Sequence, residues 1–302
     1  MAYAEFLEQF ATAQGVVSVE ELLSKHADRY AFQIGSRDRA KRTIQLLQDN
    51  FNIDFKGKKV LDVGCAYGSL SIEIAKLGAT VVGIDISDKW LKLGEVNARG
   101  EAEVKLINCD ASTFVATKQL GEDGPFDIII VNDVFEHIYD TAGLVANLSK
   151  LMAPGGLVYF KVPNGLATRH VLQEGHKRTF GISLLAPDYW QAFVSAPFHI
   201  YYRRWDHFRG IFALNGFNKI DLLNQNTDSD HEKTKRFILN DMNRIRRHLV
   251  PENFKDRTQL IYLRNAYKYY LEEVRNDLEE LNWDDLHFKY RVNFWEGVLR
   301  KQ

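Results

Sequence analysis

The sequence has little cysteine, little net charge and no long apolar run. Its two cysteines, Cys65 and Cys109, supply neither a disulfide framework nor a spaced zinc site, so a reducing compartment is expected. A formal net charge of −1 argues against a nucleic-acid partner held by a broad basic field. No segment approaches the roughly 20 consecutive apolar residues that span a bilayer, and Glu5 and Glu8 stand where a secretory signal would carry basic residues. These absences predict a cytoplasmic protein without a membrane span.

The most informative segment is residues 59–70, in which an apolar run leads through Asp62 to Gly64 and Gly68. This pattern is typical of a buried strand, a tight turn and the start of a helix, where an α/β fold holds a nucleotide-like ligand. Glycine lets the backbone approach such a ligand and tolerates positive φ. The spacing differs from the G-x-G-x-x-G of a dinucleotide fingerprint, which argues against a nicotinamide dehydrogenase.

Strands and helices alternate after this turn. The alternation predicts an α/β fold, a Rossmann-like, doubly wound and mostly parallel sheet with its ligand at the carboxyl ends of the strands. Asp85 ends the second strand about 20 residues after the glycine turn, where a carboxylate can accept hydrogen bonds from ribose hydroxyls. Further strands are predicted at 104–108, 126–131 and 157–162, and helices at 71–77 and 88–98.

The segment from Asp62 to Gly68 resembles motif I of class I S-adenosylmethionine (SAM) methyltransferases, with Ala66 in place of the usual middle glycine. Val-Phe-Glu-His-Ile and Leu-Met-Ala-Pro-Gly-Gly-Leu, further along, are similar to the branch that includes ubiquinone-biosynthesis O-methyltransferases and many small-molecule methyltransferases. The resemblance covers roughly residues 56–222. It implies a SAM-dependent enzyme that methylates a small molecule, more at oxygen than at nitrogen, and releases S-adenosylhomocysteine (SAH). The acceptors considered are a sugar, a nucleotide-sugar, a quinone-like compound and a natural-product-like compound.

The resemblance also implies which residues hold the cofactor. It places Asp62 and Gly64 at the methionine end, Asp85 at the ribose and Asp110 at the adenine amino group, with a backbone contact from Ala111. Asp62 and Asp85 could instead cap a helix or a turn. The other predicted cofactor-binding residues lie in the same turns and strand ends: Cys65, Ala66, Gly68, Ile86 and Asn132.

Methyl transfer to a hydroxyl needs the reactants held in line and a group that removes the proton. His137 is the leading base, because its ordinary pKa of about 6.5 lets it accept a proton near neutrality. Alternatively, Glu136 and His137 cap a helix and close the adenosine pocket. His176 is the second predicted catalytic residue, or else a surface-loop histidine. Asp133 is the third, at a strand end where the methyl is expected to point, and its alternative role is local turn chemistry.

A divalent metal is an alternative at the same residues. Asp133, Glu136, His137 and His176 could together hold Mg²⁺ or Mn²⁺ beside a catechol-like acceptor, since oxygen and nitrogen ligands suit these ions. The spacing of the four residues in the sequence is not that of a tight ligand set, so no metal site is predicted.

The chain is predicted to have three parts. Residues 1–55 are a helical cap over the cofactor mouth, or a helical pair packed on the sheet; residues 56–227 are the SAM-binding core. Within the core, residues 164–216 are rich in His, Arg and aromatic side chains and are expected to form a substrate lid. In this lid Arg203 and Arg204 could grip a phosphate, sulfate or carboxylate of the acceptor, or form a solvated helix face.

Residues 228–302 are predicted to be a C-terminal helical extension, preceded by a polar linker at 224–230 and without a strand that completes the sheet. Apolar residues at three- and four-residue steps from Leu260 to Leu281 mark one helical stripe. Such a stripe packs in a core or forms a dimer seam, which leaves a homodimer through these helices open.

Two other functions remain open. One is methylation of a protein or RNA with the helical tail as docking arm, which predicts a continuous basic surface that the near-neutral charge disfavours. The other is a non-catalytic SAM-binding scaffold that assembles through its tail.

Overall fold

The computed structural model describes residues 2–194, 199–223, 231–254 and 256–301, so the predicted linker at 224–230 lies outside the described residues. A single sheet of seven strands forms the centre of the molecule. In chain order the strands are β1 Lys59–Val63, β2 Thr80–Asp85, β3 Lys105–Asn108, β4 Phe126–Asn132, β5 Met152–Pro163, β6 Lys219–Leu222 and β7 Phe294–Arg300.

Across the sheet the strand order is β3-β2-β1-β4-β5-β7-β6. Strands β1 to β5 pair in parallel with one another, whereas β7 runs antiparallel to both β5 and β6. The order reverses at β1, so the carboxyl ends of β1 and β4 flank a topological switch point, where open α/β sheets bind ligands. The predicted Rossmann-like, mostly parallel sheet is confirmed.

The helices follow the predicted alternation; α6 has the predicted bounds, and α5 begins and ends two residues before the predicted 71–77. In chain order they are α1 Ala2–Ala13, α2 Val19–Lys25, α3 Ala27–Ile34, α4 Ser36–Phe51, α5 Ser69–Ala75, α6 Asp88–Ala98, α7 Ala116–Leu120, α8 Thr141–Leu151, α9 Thr168–Leu172, α10 Trp205–Leu214, α11 His231–His248, α12 Arg257–Glu280 and α13 Trp283–Tyr290.

Two hydrophobic cores lie on opposite faces of the sheet, because successive side chains of a strand point to opposite sides. On one face Val60 and Ile130 pack with Leu47 of α4. On the other face Leu61 and Ile129 pack with apolar residues of α8 and α10. Full burial of each such side chain stabilises the fold by about 1.5–3 kcal/mol, so the two cores hold the helices against the sheet.

The N-terminal helices cover the glycine turn after β1. Phe6 of α1 lies 5.0 Å from Tyr67, measured between ring centroids, and Tyr67 lies 5.9 Å from Trp90 of α6. Phe10 and Tyr30 complete the same buried cluster, with ring centroids 5.5 Å apart. Aromatic packing therefore fixes α1 and α3 beside the turn.

The lid and the C-terminal helices share one further core. The stripe on α12 is buried, and its Leu263 and Tyr267 pack with Val171 and Ile182 of the lid and with Ile238 of α11. The stripe is therefore core packing within one chain, and its buried residues are not available as a dimer seam.

The expectation that the chain is helical to its end is wrong. Strand β7 inserts between β5 and β6, and its Trp295 is fully buried. Gly297 faces Phe160 in the β5–β7 register, and a Cβ there would stand 2.5 Å from the carbonyl oxygen of Asp221. The last strand thus completes the seven-stranded sheet that the sequence pattern left open. Among the described residues, no helix is long and apolar enough to cross a membrane.

Candidate active site

A left-handed turn joins β1 to α5. Gly64, Ala66 and Gly68 have φ angles of 70°, 49° and 68°. The backbone N–H groups of Gly64 and Cys65 both donate to the carbonyl oxygen of Ile84 on the neighbouring strand, at 2.8 and 2.9 Å. These bonds hold the turn against the end of β2, and Gly68 then caps the start of α5.

Gly64 is also required by close packing. A Cβ at this position would stand 2.6 Å from Cγ2 of Val134, well inside van der Waals contact. Cys65 beside it is buried, and burial raises the pKa of its thiol well above the ordinary value. Cys65 is therefore a neutral packing residue beneath the turn, and neither cysteine is part of a disulfide.

Asp62 lies inside β1 and is only 3% exposed. Its Oδ2 accepts a hydrogen bond of 2.5 Å from the hydroxyl of Ser71 on α5. Burial raises the pKa of Asp62 to about 6, although the bond from Ser71 opposes the shift. In the structure Asp62 ties β1 to α5, and a direct contact with the cofactor stays a prediction.

Asp85 presents a fixed carboxylate at the carboxyl end of β2. One oxygen accepts from the N–H of Ala66 at 3.0 Å, and the other accepts from the N–H of Ser87 at 2.8 Å. The cap of α6 is Ser87, whose hydroxyl accepts from Trp90, so Asp85 itself does not cap that helix. Ile86 follows with its side chain 73% exposed, which offers an apolar surface beside the carboxylate.

Asp110 lies at the end of β3 in an exposed turn. Its Oδ1 accepts from the backbone N–H and the hydroxyl of Ser112, at 2.9 and 2.6 Å. Ala111 is buried, and its carbonyl oxygen accepts from Nδ2 of Asn147 at 2.9 Å. One carboxylate oxygen of Asp110 is therefore engaged in the local turn. The residue still lies along the same carboxyl edge of the sheet as Asp85.

Strand β4 ends in Asn132 and Asp133, and Asp133 has a positive φ of 56°. Its Oδ2 accepts from Nζ of Lys161 at 3.1 Å, whereas its buried Oδ1 has no hydrogen-bond partner among the described residues. The Lys161 ammonium also lies 4.4 Å from the ring centroid of Phe294. A charged pair, Asp133 and Lys161, thus marks the switch point.

His137 and His176 come together although they are far apart in the sequence. Their ring centroids are 5.3 Å apart and the rings are nearly perpendicular. Partial burial, followed by the nearby His176, lowers the pKa of His137 below its ordinary value of 6.5. His137 is therefore neutral near neutral pH, with a lone pair that can accept a proton.

Glu136 is 1% exposed, and its Oε2 has no hydrogen-bond partner in the described part of the chain. Burial, reinforced by the charge of Asp133, raises its pKa to about 8, so it carries a proton at neutral pH. One ligand atom each of Glu136, His137 and His176 lies within 4.8 Å of the others. Three of the four residues considered for a metal therefore meet, while Asp133 is paired with Lys161.

Several further residues at this site were not predicted from the sequence. Tyr159 on β5 donates a hydrogen bond of 2.5 Å to Oε1 of Glu296 on β7, beside Asn132. Glu174 on the lid is buried against His176 and Tyr202. Glu296 could not be predicted, because no local sequence pattern marks β7 as a strand. Tyr159 could have been predicted, because its hydroxyl stands in a buried, mostly apolar strand.

Contacts and charge–charge interactions join these side chains into one closed cluster, which is bounded by β4, β5, β7 and the lid. In order around the cluster the residues are Phe294, Lys161, Asp133, Glu136, His137, His176, Glu174, Tyr202 and His170.

Arg203 and Arg204, the two lid arginines predicted to grip an anion, are engaged elsewhere. Arg204 forms an ion pair with Glu273 of α12 at 2.5 Å. Arg203 donates to the carbonyl oxygens of Tyr139 and Tyr201. Both guanidinium groups therefore hold the lid in place, which weighs against the interpretation that they grip an anionic acceptor.

The fold and this site define a class I SAM-dependent methyltransferase. Residues 36–222 match the family model described as a methyltransferase domain, and the chain belongs to this family. It is 37% identical over 119 residues to a ubiquinone biosynthesis O-methyltransferase of Thiobacillus denitrificans, covering 38% of this chain and 49% of that protein. A protein of the same name from Paracidovorax citrulli is 35% identical over 121 residues, with 39% and 48% covered. The chain spans about half the length of these curated relatives.

Solved structures give a more distant likeness. A SAM-dependent methyltransferase from Mesorhizobium loti is 15% identical with a TM-score of 0.47, and 82% of this chain and 93% of that chain are covered. Phosphoethanolamine N-methyltransferase 2 of Haemonchus contortus, in complex with SAM, is 20% identical with a TM-score of 0.46, and 86% and 52% are covered.

The residues at the sheet edge fit a SAM molecule. The carboxylates of Asp85 and Asp110 can accept hydrogen bonds from ribose hydroxyls and an adenine amino group. The exposed side chain of Ile86 offers the apolar surface that a purine ring needs. The fixed backbone of the glycine turn and the nearby carboxylates suit a positively charged sulfonium.

Proposed function

We propose that this protein transfers a methyl group from SAM to a hydroxyl oxygen of a small molecule, with His137 as general base. The observation that carries this proposal is the pair of His137 and His176 beside the carboxyl end of β4. The family of the chain and the names of its O-methyltransferase relatives support the reaction type.

The cofactor is proposed to lie along the carboxyl ends of β1 to β4. When bound, SAM supplies an electrophilic methyl group on a cationic sulfur. The glycine turn binds the methionine end, Asp85 orients the ribose and Asp110 orients the adenine. The remaining contacts come from the residues beside them: Asp62, Gly64, Cys65, Ala66, Gly68, Ile86, Ala111 and Asn132.

His137 is proposed to take the proton of the acceptor hydroxyl. Its lowered pKa keeps the imidazole neutral and able to accept, and its exposed ring can reach a bound acceptor. His176 packs against it edge to face, with the ring centroids 5.3 Å apart, and so fixes the position of the His137 ring. Asp133 is proposed to hold Lys161 in place and to help orient the acceptor.

The acceptor is proposed to be a neutral phenol, quinone-like compound or sugar. Glu136 carries a proton near neutral pH, so the cluster holds two carboxylates, Asp133 and Glu174, and one ammonium, that of Lys161. The excess of negative charge disfavours an anionic acceptor. Arg204 is already paired with Glu273, and Arg203 donates to backbone carbonyls. Nucleotide-sugars are therefore the least favoured of the acceptors considered.

A metal-assisted form of the same reaction is the second candidate. The ligand atoms of Glu136, His137 and His176 lie within 4.8 Å of one another, and carboxylate and imidazole ligands suit Mg²⁺ or Mn²⁺. A titration with Mn²⁺ in the wild type and in Glu136→Gln tests it. Binding lost in the variant would support the metal, and no binding would leave His137 acting alone.

The parts of the chain take proposed roles accordingly. Residues 1–55 act as a cap over the cofactor, residues 164–216 as the acceptor lid, and residues 228–302 as the support that holds the lid. A cytoplasmic location and a monomeric catalytic unit belong to the same proposal.

The test uses SAM with a deuterated methyl group and a panel of neutral phenols, quinols and sugars, analysed by mass spectrometry. We expect one labelled methyl group on a hydroxyl acceptor, with the product lost in His137→Ala. Labelled protein or RNA in place of a small molecule would favour macromolecular methylation. Tight SAM binding without any labelled product would favour a non-catalytic scaffold.

A further inference from the structure

The lid segment after α9 is folded around one carboxylate. The side chain of Glu174 is completely buried. Its Oε1 accepts from the backbone N–H groups of Lys177 and Thr179, the latter at 3.2 Å. Its Oε2 accepts from the backbone N–H of His176 at 2.6 Å and from the hydroxyl of Tyr202 at 3.1 Å. Four donors thus converge on a single side chain.

These hydrogen bonds stabilise the ionised form of Glu174. Burial alone would raise the pKa of Glu174, but the hydrogen bonds from His176, Thr179 and Lys177 lower it to about 2. A buried carboxylate with several backbone donors is typical of a group that fixes a loop conformation. Arg178, inside the turn, has a positive φ of 58°, which the converging bonds hold in place.

The same carboxylate fixes a histidine ring. Oε2 of Glu174 lies 3.6 Å from Nδ1 of His176, and the same ring lies 5.3 Å from the ring of His137, measured between centroids. The carboxylate therefore constrains both the backbone and the ring of His176. Tyr202 belongs to a later part of the lid, and its hydroxyl donates to the carboxylate of Glu174. Its ring lies 6.1 Å from the ring of His170, measured between centroids.

We propose that Glu174 is a positioning residue that folds residues 174–179 into a turn and holds the ring of His176 edge to face against the ring of His137. The inference rests on the proposed function for its catalytic consequence, while the positioning itself is a property of the protein alone. The amide of a glutamine cannot replace this carboxylate. Its NH₂ group would stand where one oxygen now accepts two hydrogen bonds, so two donors would face a third.

The test is an NMR measurement on protein with ¹³C-labelled histidine, comparing wild type with Glu174→Gln. In the wild type we expect a nuclear Overhauser contact between the rings of His137 and His176. We expect Glu174→Gln to lose it and to keep the contact between His231 and Trp283, whose centroids are also 5.3 Å apart. Tyr202→Phe is the matched control, since it removes one donor and leaves the backbone bonds.

A retained His137–His176 contact in Glu174→Gln would overturn the proposal. Loss of the His231–Trp283 contact as well would also overturn it, because Glu174 would then support the whole fold. This measurement needs no acceptor, so it stands even if the proposed reaction fails.

Once an acceptor is known, turnover measures how much the position of His176 contributes to catalysis. We expect Glu174→Gln to lower kcat by about 10²-fold through misplacement of a catalytic group, with SAM affinity unchanged. Combined with His176→Ala it should add no further loss, because both changes remove one function. Additive losses would show that Glu174 does not act through His176.

Discussion

The imidazole rings of His137 and His176 lie 5.3 Å apart and nearly perpendicular to one another. His137 follows β4 and His176 belongs to the lid, so the two rings meet only in the folded chain. The backbone N–H of Tyr201 also donates to the carbonyl oxygen of Glu136, which ties the lid to the same strand end. The lid segment and the sheet therefore jointly form the histidine site, which is the proposed acceptor side.

Replacing the leading base tests the chemistry. We expect His137→Ala to lower kcat by about 10²–10⁴-fold, the usual contribution of acid–base catalysis, while His231→Ala leaves kcat unchanged. In the wild type, the midpoint of the acidic limb of the pH–rate profile should lie below pH 6.5, the ordinary histidine pKa. The reason is that partial burial and His176 lower the pKa of His137. A limb above that value would argue against His137.

The glycine turn allows a matched pair of substitutions. Gly64 and Gly57 have φ angles of 70° and 69°, but only a Cβ at position 64 meets a neighbour, Val134 at 2.6 Å. Both Gly→Ala changes should cost about 1–2 kcal/mol for backbone strain, and Gly64→Ala a further 1–3 kcal/mol or so for overpacking. Urea unfolding measures both, and Val134→Ala should relieve only the second cost. Equal losses at the two positions would contradict the packing.

Glu136 makes stability depend on pH with a defined sign. Below its ordinary pKa of 4.5 the folded and unfolded states both hold the proton, whereas between 4.5 and about 8 only the folded state keeps it. Stability should therefore fall as pH rises through this window. Glu136→Gln should remove the loss, which we expect to be a few kcal/mol.

Urea unfolding across that pH range, with a chelator present, compares wild type and Glu136→Gln. A difference between the two proteins that does not change with pH would show that Glu136 ionises normally in the folded state.

The helical stripe of α12 can be tested in the same way. Leu263 is 1% exposed and Ile261 is 57% exposed. Leu263→Ala should cost about 2–5 kcal/mol of stability through loss of buried packing, whereas Ile261→Ala should cost little. Light scattering should give the same mass for both variants and the wild type. A dimeric wild type that Leu263→Ala converts to a monomer would contradict core packing.

Much of the cofactor side could be predicted from the sequence, because its signals are local. The turn at Gly64 and Gly68 and the acid at Asp85 follow directly from strand and turn patterns over short spans. The helix bounds of α6 were predicted correctly because Ser87 and the apolar spacing mark them locally.

The acceptor side could be predicted only in part, since it depends on contacts between distant residues. Strand β7 was missed because it contains Gly297 and gains its stability from pairing with Phe160, which no local pattern reveals. The burial of Glu174 is likewise invisible in the sequence, where Glu-Gly-His reads as an exposed polar turn. His137 and His176 were both named, but only the fold shows that they face one another.

The central claim is that the carboxyl edge of β1 to β4 binds SAM, and calorimetric titration tests it most directly. Wild type is titrated with SAM, SAH and, as a control ligand, NADH. Asp85→Asn is compared with Asp256→Asn, which alters a similar aspartate that caps α12 away from the sheet. We predict binding of SAM and SAH but not NADH, with at least a tenfold or so loss in Asp85→Asn only, since one charged hydrogen bond contributes about 1.5–3 kcal/mol. Absence of SAM and SAH binding in the wild type, or equal affinity in Asp85→Asn, would contradict the account.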